Sequence, residues 1–206
     1  MLEKHINYYK YAKNETDYLK KKDKKLAKEI DKIGIIKREI EPDIFKALVS
    51  SIISQQISTK AAITVENRLV VLLMKITPEN IYKVELEAIQ KCGMTFRKAG
   101  YIKGVAEAAI FKTVDFENLH KLTDKEVIKE LTSINGIGEW TAEMLLIHSL
   151  QRPNILSYKD LAIRRGIMRL YGLEELSKEE FEIYRERYTP YCTVASIYLW
   201  KISSSE

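Results

Sequence analysis

Cysteine is scarce in this chain: among 206 residues there are two, Cys92 and Cys192. Two thiols cannot build a disulfide framework or, in a monomer, a four-cysteine zinc or iron–sulfur site, so both are read as plain reduced thiols. Histidine is almost as rare, and His5, His120 and His148 show no metal-ligand spacing. No glycine-rich nucleotide loop is present either, so no cofactor is required. Long apolar runs are missing as well: none approaches the roughly 20 residues that a membrane span needs. The opening Met1-Leu2-Glu3-Lys4-His5 has no apolar signal core, so the expectation is a cytoplasmic protein with no membrane partner. On that expectation the Asn14-Glu15-Thr16 match to a glycosylation site is read as chance.

What is present is enough to build a core. The composition is 46% hydrophobic and 31% charged, which suits one compact domain or two small ones. A net charge of +5 permits a polyanionic partner without demanding one. Residues 1–41 carry 12 Lys and Arg against 8 Asp and Glu, so most of the imbalance lies around Lys20-Lys21-Lys22 and Lys24-Lys25. Mixed-sign runs of this kind are read first as a solvated helix face.

Apolar spacing is helical nearly throughout: Phe45, Leu48, Val49, Ile52, Ile53; then Ile102, Val105, Ala106, Ala109, Ile110; then Val194, Ile197, Tyr198. No strand alternation competes, so the expected class is all-α. Breaks fall at Gly34, Pro42, Pro78, Gly93, Asn135-Gly136-Ile137-Gly138, Pro153, Gly172 and Pro190, which predicts roughly eight to ten helices with short connections. Thr123-Asp124-Lys125-Glu126 reads as a capping box that opens a helix to about Ser133.

The segment Leu131-Thr132-Ser133-Ile134-Asn135-Gly136-Ile137-Gly138-Glu139-Trp140-Thr141-Ala142 follows at once. Asn135 and Gly136 can take positive φ, and Gly138 allows close backbone approach just before a second helix whose first amides are unpaired. Such a helix end can hold a DNA phosphate without reading sequence. From spacing alone it is equally a simple αα-hairpin with a glycine cap.

Three further stretches carry chemistry. In Ser157-Tyr158-Lys159-Asp160-Leu161-Ala162-Ile163-Arg164-Arg165-Gly166 an acid stands immediately before an amphipathic helix. By itself that is an ordinary Asp cap, but the helix dipole also holds such a carboxylate ionised, as a group facing a cationic sugar must be. Ser54-Gln55-Gln56-Ile57-Ser58 ends an apolar helix with a polar pair. Trp140, Tyr188, Tyr191 and Trp200 are aromatic faces available for stacking or for contact with a cation, although most aromatics in a helical protein are core.

Together these residues resemble the helix-hairpin-helix superfamily of DNA glycosylases, and in particular the 3-methyladenine DNA glycosylase II (AlkA-type) family. The Gly-Ile-Gly-x-Trp-Thr-Ala form of the hairpin is intact, and the order of features is similar from about Asp43 to Trp200. The resemblance implies a two-lobed, all-helical fold. A six-helix lobe of about 42–154, with the hairpin motif near 124–150, would pack against a lobe of about 1–41 plus 155–206.

The resemblance also implies roles. Asp160 takes the place of the catalytic aspartate. Trp140, Met144, Tyr191 and Trp200 fall at the base pocket. Gln55, Gln56 and Ser58, with Asn135, Gly136, Ile137, Gly138 and Thr141, fall at DNA, and Gln56 occupies the wedge position where some relatives carry leucine. The carbonyls of Thr132, Ile134 and Ile137 would hold a monovalent cation, Na+ or K+. Trp140 stands where bifunctional relatives carry a nucleophilic lysine, and Lys159 is discounted for that role. Gly93, Arg97-Lys98-Ala99 and Tyr101-Ile102 are similar to a family segment read as packing plus a DNA-side turn.

Two departures stand out: Met144 replaces a tyrosine that relatives can carry, and Cys192-Thr193 replaces a pair that often includes arginine. The implied activity is hydrolytic, monofunctional excision of alkylated purines from double-stranded DNA by a monomer that needs no obligate protein partner. The alternatives are a glycosylase/lyase for oxidised bases and a noncatalytic DNA-binding module.

Overall fold

The computed structural model describes residues 6–204, so the reading of the chain start at Met1 to His5 lies outside the described residues. In chain order the elements are β1 (Asn7–Tyr8), α1 (Lys13–Lys22), α2 (Lys24–Ile33), β2 (Glu39–Ile40), α3 (Ile44–Ser54), α4 (Thr59–Leu73), α5 (Pro78–Lys83), α6 (Leu86–Gln90), α7 (Phe96–Ile110), α8 (Asp124–Thr132), α9 (Glu139–His148), α10 (Leu161–Tyr171), α11 (Lys178–Tyr188) and α12 (Cys192–Ser204). A single 3-10 turn, Leu119–Lys121, precedes α8. The twelve helices among the described residues exceed the eight to ten that spacing suggests. The five- and six-residue helices α6 and α5 are too short to show periodicity.

Local chemistry explains where helices begin. Asp43, Ser58, Thr77, Thr95 and Ser177 each accept a backbone amide at the start of a helix. Thr123 and Glu126 form the expected reciprocal capping box, and α8 runs to Thr132 with Ser133 as its cap. Pro78, read from sequence as a break, is the first residue of α5, where its missing N–H costs nothing.

The chain divides into two compact units: the described residues of Met1–Ile40 with Gln151–Glu206, and Glu41–Leu150. In the first, Cys192 through Leu199 of α12 are all buried, which makes α12 a central helix, covered on every side. Helix α10 packs on it so closely that a Cβ at Gly166 would stand 2.3 Å from the Leu199 carbonyl oxygen. Asp23 is buried at the start of α2. Its Oδ1 accepts the Lys25 and Leu26 amides, and its Oδ2 takes the hydroxyls of Tyr171 and Tyr188 and an Arg187 guanidinium N–H.

Strands β1 and β2 pair antiparallel, Asn7 with Ile40 and Tyr8 with Glu39. They are two residues each, below the length at which alternation can be seen. Around them the lysine-rich stretch is solvated but not idle: Lys20 pairs with Asp31, and the ammoniums of Lys22 and Lys25 lie over the Tyr18 and Tyr171 rings.

The Glu41–Leu150 unit is built around α3, whose Phe45, Leu48, Val49, Ile52 and Ile53 are buried, together with Ala99, Ile102, Val105 and Ala106 of α7 and Leu145 and Leu146 of α9. Both cysteines of the chain are buried and unpaired. No helix among the described residues is long and apolar enough to cross a membrane.

Candidate functional site

The hairpin joins α8 to α9. Gly136 is its one residue of positive φ, at 90°, whereas Asn135 is not left-handed. A Cβ at Gly136 would stand 2.4 Å from the Tyr101 ring, so the glycine serves both the backbone angle and the approach of α7. Gly138 differs from expectation: its φ is −94° and no protein atom lies within 4 Å of where its Cβ would be. It caps α9 without a side chain, next to open space. Glu139, Trp140 and Thr141 form the first turn of α9. The Ile137 amide, by contrast, is spent inside the turn on the Ile134 carbonyl, at 3.1 Å, and the Ile137 side chain is core.

The polar pair after α3 is held in place from two sides. Gln55 Nε2 donates to the Gly136 carbonyl at 3.1 Å, which ties this loop to the hairpin. Lys98 Nζ donates to the carbonyls of Ile53 at 2.8 Å and Gln55 at 2.6 Å. A lysine there satisfies the last carbonyls of α3 and faces the negative end of its dipole. Burial holds the Lys98 amine below its ordinary value, and neighbouring Arg97 adds to the effect. Between these anchors Gln56 is exposed and left-handed, with φ 56°. Such a conformation in a non-glycine residue persists where surrounding contacts impose it. Ser58, exposed, caps α4 through the Ala61 amide. Gln55 and Lys98 are thus internal braces, and the role of Lys98 is not visible in sequence spacing because its partners lie more than 40 residues away.

Trp140, second residue of α9, is 43% exposed, a large apolar surface to leave in water. Thr141 and Met144, further along α9, line a cleft of about 500 Å3 whose other walls come from α3 and α4.

Asp160 lies in the other unit. It is 6% exposed and caps α10, its Oδ1 accepting the Ala162 and Ile163 amides at 2.9 Å each. Lys159 beside it is exposed.

Arg38 is the neighbour that sequence reasoning missed. Its backbone carbonyl receives the Tyr9 amide at 2.8 Å, beside the β1–β2 pairing, and its guanidinium lies 4.7 Å from the centre of the Trp200 ring. Burial lowers the Arg38 pKa, against the carboxylates of Asp160 and Glu39, which favour its charge. One face of Trp200 is therefore already in contact with a cation, which narrows its expected role as an open stacking wall.

One of the other aromatic expectations changes as well. Tyr188 is fully buried and donates to Asp23 at 3.1 Å, so it is core. Burial drives its phenol far above the ordinary value, and the Asp23 charge adds to this. Tyr191 is half-buried and packs edge-on against Tyr18 at 5.2 Å. Cys192 and Thr193 are also interior: burial pushes the Cys192 thiol up to about 11, and Thr193 Oγ1 donates to the Arg152 carbonyl and accepts the Ile155 amide.

The profile of HhH-GPD superfamily base excision DNA repair proteins matches residues 49–190. The chain belongs to this superfamily. It is 36% identical to DNA-3-methyladenine glycosylase 1 of Schizosaccharomyces pombe, over 77% of this chain and 72% of that protein. Among solved structures, a DNA-3-methyladenine glycosidase from Bacillus halodurans superposes with a TM-score of 0.85 at 35% identity, covering 98% of this chain and 94% of that one. A 3-methyladenine DNA glycosylase of S. pombe in complex with abasic DNA gives 0.79 at 31% identity, covering 91% and 95%. The hairpin, the polar pair after α3 and the aspartate that caps α10 all fall inside the matched span.

Proposed function

We propose that this superfamily member is a monofunctional base excision repair glycosylase that removes cationic alkylated purines, of the 3-methyladenine and 7-methylguanine type, from double-stranded DNA. The observation that carries this reading is the buried carboxylate of Asp160 at the start of α10, in a chain whose relatives are named 3-methyladenine glycosylases. The relative held with abasic DNA supports the expected product.

In the proposed reaction the glycosidic C–N bond breaks with its electron pair passing to the purine. The purine thereby loses its positive charge, and positive charge develops on the sugar at C1′. Asp160 stabilises that charge and accepts a proton from the water that adds to C1′. A base that is already cationic leaves without a strong acid, and none is assigned. The open backbone at Gly138 and the first amides of α9 would hold a DNA phosphate, while Gln56 would fill the stack vacated by the flipped nucleotide.

The carbonyls of Thr132 and Ile134 at the negative end of α8, with that of Ile137 in the turn, are neutral oxygens. The Ile134 oxygen retains a second lone pair beside its bond to the Ile137 amide. That donor set fits a monovalent cation, which would add positive charge between hairpin and phosphate. The Ile137 amide itself is assigned to the turn.

The test is excision of 3-methyladenine, 7-methylguanine, 8-oxoguanine and uracil from one duplex context, with borohydride present in a parallel series. Faster release of the two cationic bases, leaving an intact abasic strand and no trapped adduct, is expected. Faster release of a neutral base, or a covalent protein–DNA adduct, overturns the reading.

A further inference from the structure

The cleft inside the Glu41–Leu150 unit holds a single carboxylate in its lining, that of Glu66 on α4. Glu66 Oε1 accepts from Ser50 Oγ at 3.1 Å, which fixes the side chain toward α3, while Oε2 takes no hydrogen bond from the described residues. Lys46, whose charge Glu66 favours, is itself paired with Glu41. Ile57, which follows Gln56, lines the same cleft, as do Thr141 and Met144 one and four residues after Trp140. The cleft therefore opens beside the segment read as the wedge and runs along the helix that carries the expected base-pocket residues.

Resting on the glycosylase reading above, we propose that this cleft receives the extruded base and that Glu66 is a specificity-determining residue, selecting bases that carry positive charge and N–H donors. A carboxylate is an acceptor only, so it matches an exocyclic amine or ring N–H and opposes a carbonyl at the same place. Charge fixes the sign of its kinetic effect. The purine is cationic before the glycosidic bond breaks and neutral afterwards, so Glu66 favours the bound ground state more than the departing base. Groups that stabilise the ground state in this way strengthen binding without raising the rate of the chemical step. Glu66 is thus distinct from Asp160, whose charge faces the sugar and favours the transition state.

The experiment compares wild type with Glu66→Gln, which keeps the bond to Ser50 and removes the charge. Single-turnover excision of 7-methylguanine and of neutral hypoxanthine is measured across enzyme concentration, alongside binding to undamaged duplex. The expected result is a roughly tenfold rise in the half-saturating concentration for 7-methylguanine, the scale of one charge-assisted hydrogen bond. The limiting rate should be unchanged or higher, hypoxanthine, which has a ring N–H but no charge, should weaken less than 7-methylguanine, and affinity for undamaged DNA should be equal. An unchanged half-saturating concentration, or a limiting rate that falls with it, overturns the proposal. If wild type removes no 7-methylguanine at all, the glycosylase reading fails first. If wild type is active and Glu66→Gln matches it, only the role of Glu66 fails.

Discussion

The two units of this chain contrast in how they present polar groups. In the Glu41–Leu150 unit the groups proposed to meet DNA at the hairpin are largely backbone: an open Gly138 and the first amides of α9, set by a left-handed Gly136. Its side chains, Gln55 and Lys98, are spent on holding that backbone still. The unit made from both chain ends does the reverse. Two of its carboxylates are buried among packed helices, Asp160 on the α10 amides and Asp23 on two tyrosines and an arginine. Backbone suits a task that every DNA sequence shares, since phosphates carry no sequence information. A desolvated carboxylate suits charge stabilisation at one atom, because electrostatic interactions strengthen where water is excluded.

The contrast is most easily broken at Asp160. Asparagine caps helices as well as aspartate does, so Asp160→Asn should leave α10 intact while lowering single-turnover excision by roughly 10²-fold or more, as loss of a key electrostatic group does. Rates within a few-fold of wild type at saturating enzyme would reduce Asp160 to a cap.

Within the hairpin the two glycines should separate. Gly136→Ala meets both positive φ and the Tyr101 ring, for a combined cost of about 2–4 kcal/mol, visible as a lower Tm. Gly138→Ala meets nothing in the protein and should cost under about 1 kcal/mol as a cap change. Equal melting temperatures for the two variants would contradict the assigned geometry.

The smallest expected effect is at Lys98. Lys98→Met removes the donor to Ile53 and Gln55 and frees the loop that carries Gln56, so excision should fall by about tenfold through loss of preorganisation. Binding to undamaged duplex should change little. Fluorescence of 2-aminopurine next to the lesion reports flipping directly, and an unaltered signal would remove Lys98 from the wedge.

How much of this was legible in sequence depended on how local each feature is. The turn of the hairpin could be read because Gly136 takes a backbone angle that favours glycine, whereas its DNA role came from the resemblance. The capping box at Thr123 could be read because it is closed within four residues. Asp160 could not be told from Asp23 on local grounds, since both are acids at a helix start. Only resemblance to a family separated them. Arg38 escaped notice because what places it, the two-residue pairing of β1 with β2, is shorter than any periodic signal, and the residues it serves lie more than 100 positions away. Tyr188 failed as a pocket candidate for the opposite reason: an aromatic stripe looks the same whether it faces a ligand or, as here, a buried carboxylate.

The central claim is that grip and chemistry are divided, with backbone holding DNA in one unit and a carboxylate acting in the other. The most direct test measures two quantities on the same two variants, Gly138→Ala and Asp160→Asn: affinity for duplex carrying an abasic-site analogue, and single-turnover excision of 7-methylguanine at saturating enzyme. The account predicts that Gly138→Ala weakens affinity for every DNA sequence alike yet retains most of the saturated rate, while Asp160→Asn binds nearly as wild type and loses the rate. If Asp160→Asn instead loses affinity while keeping its rate, or Gly138→Ala binds as wild type, the division does not exist.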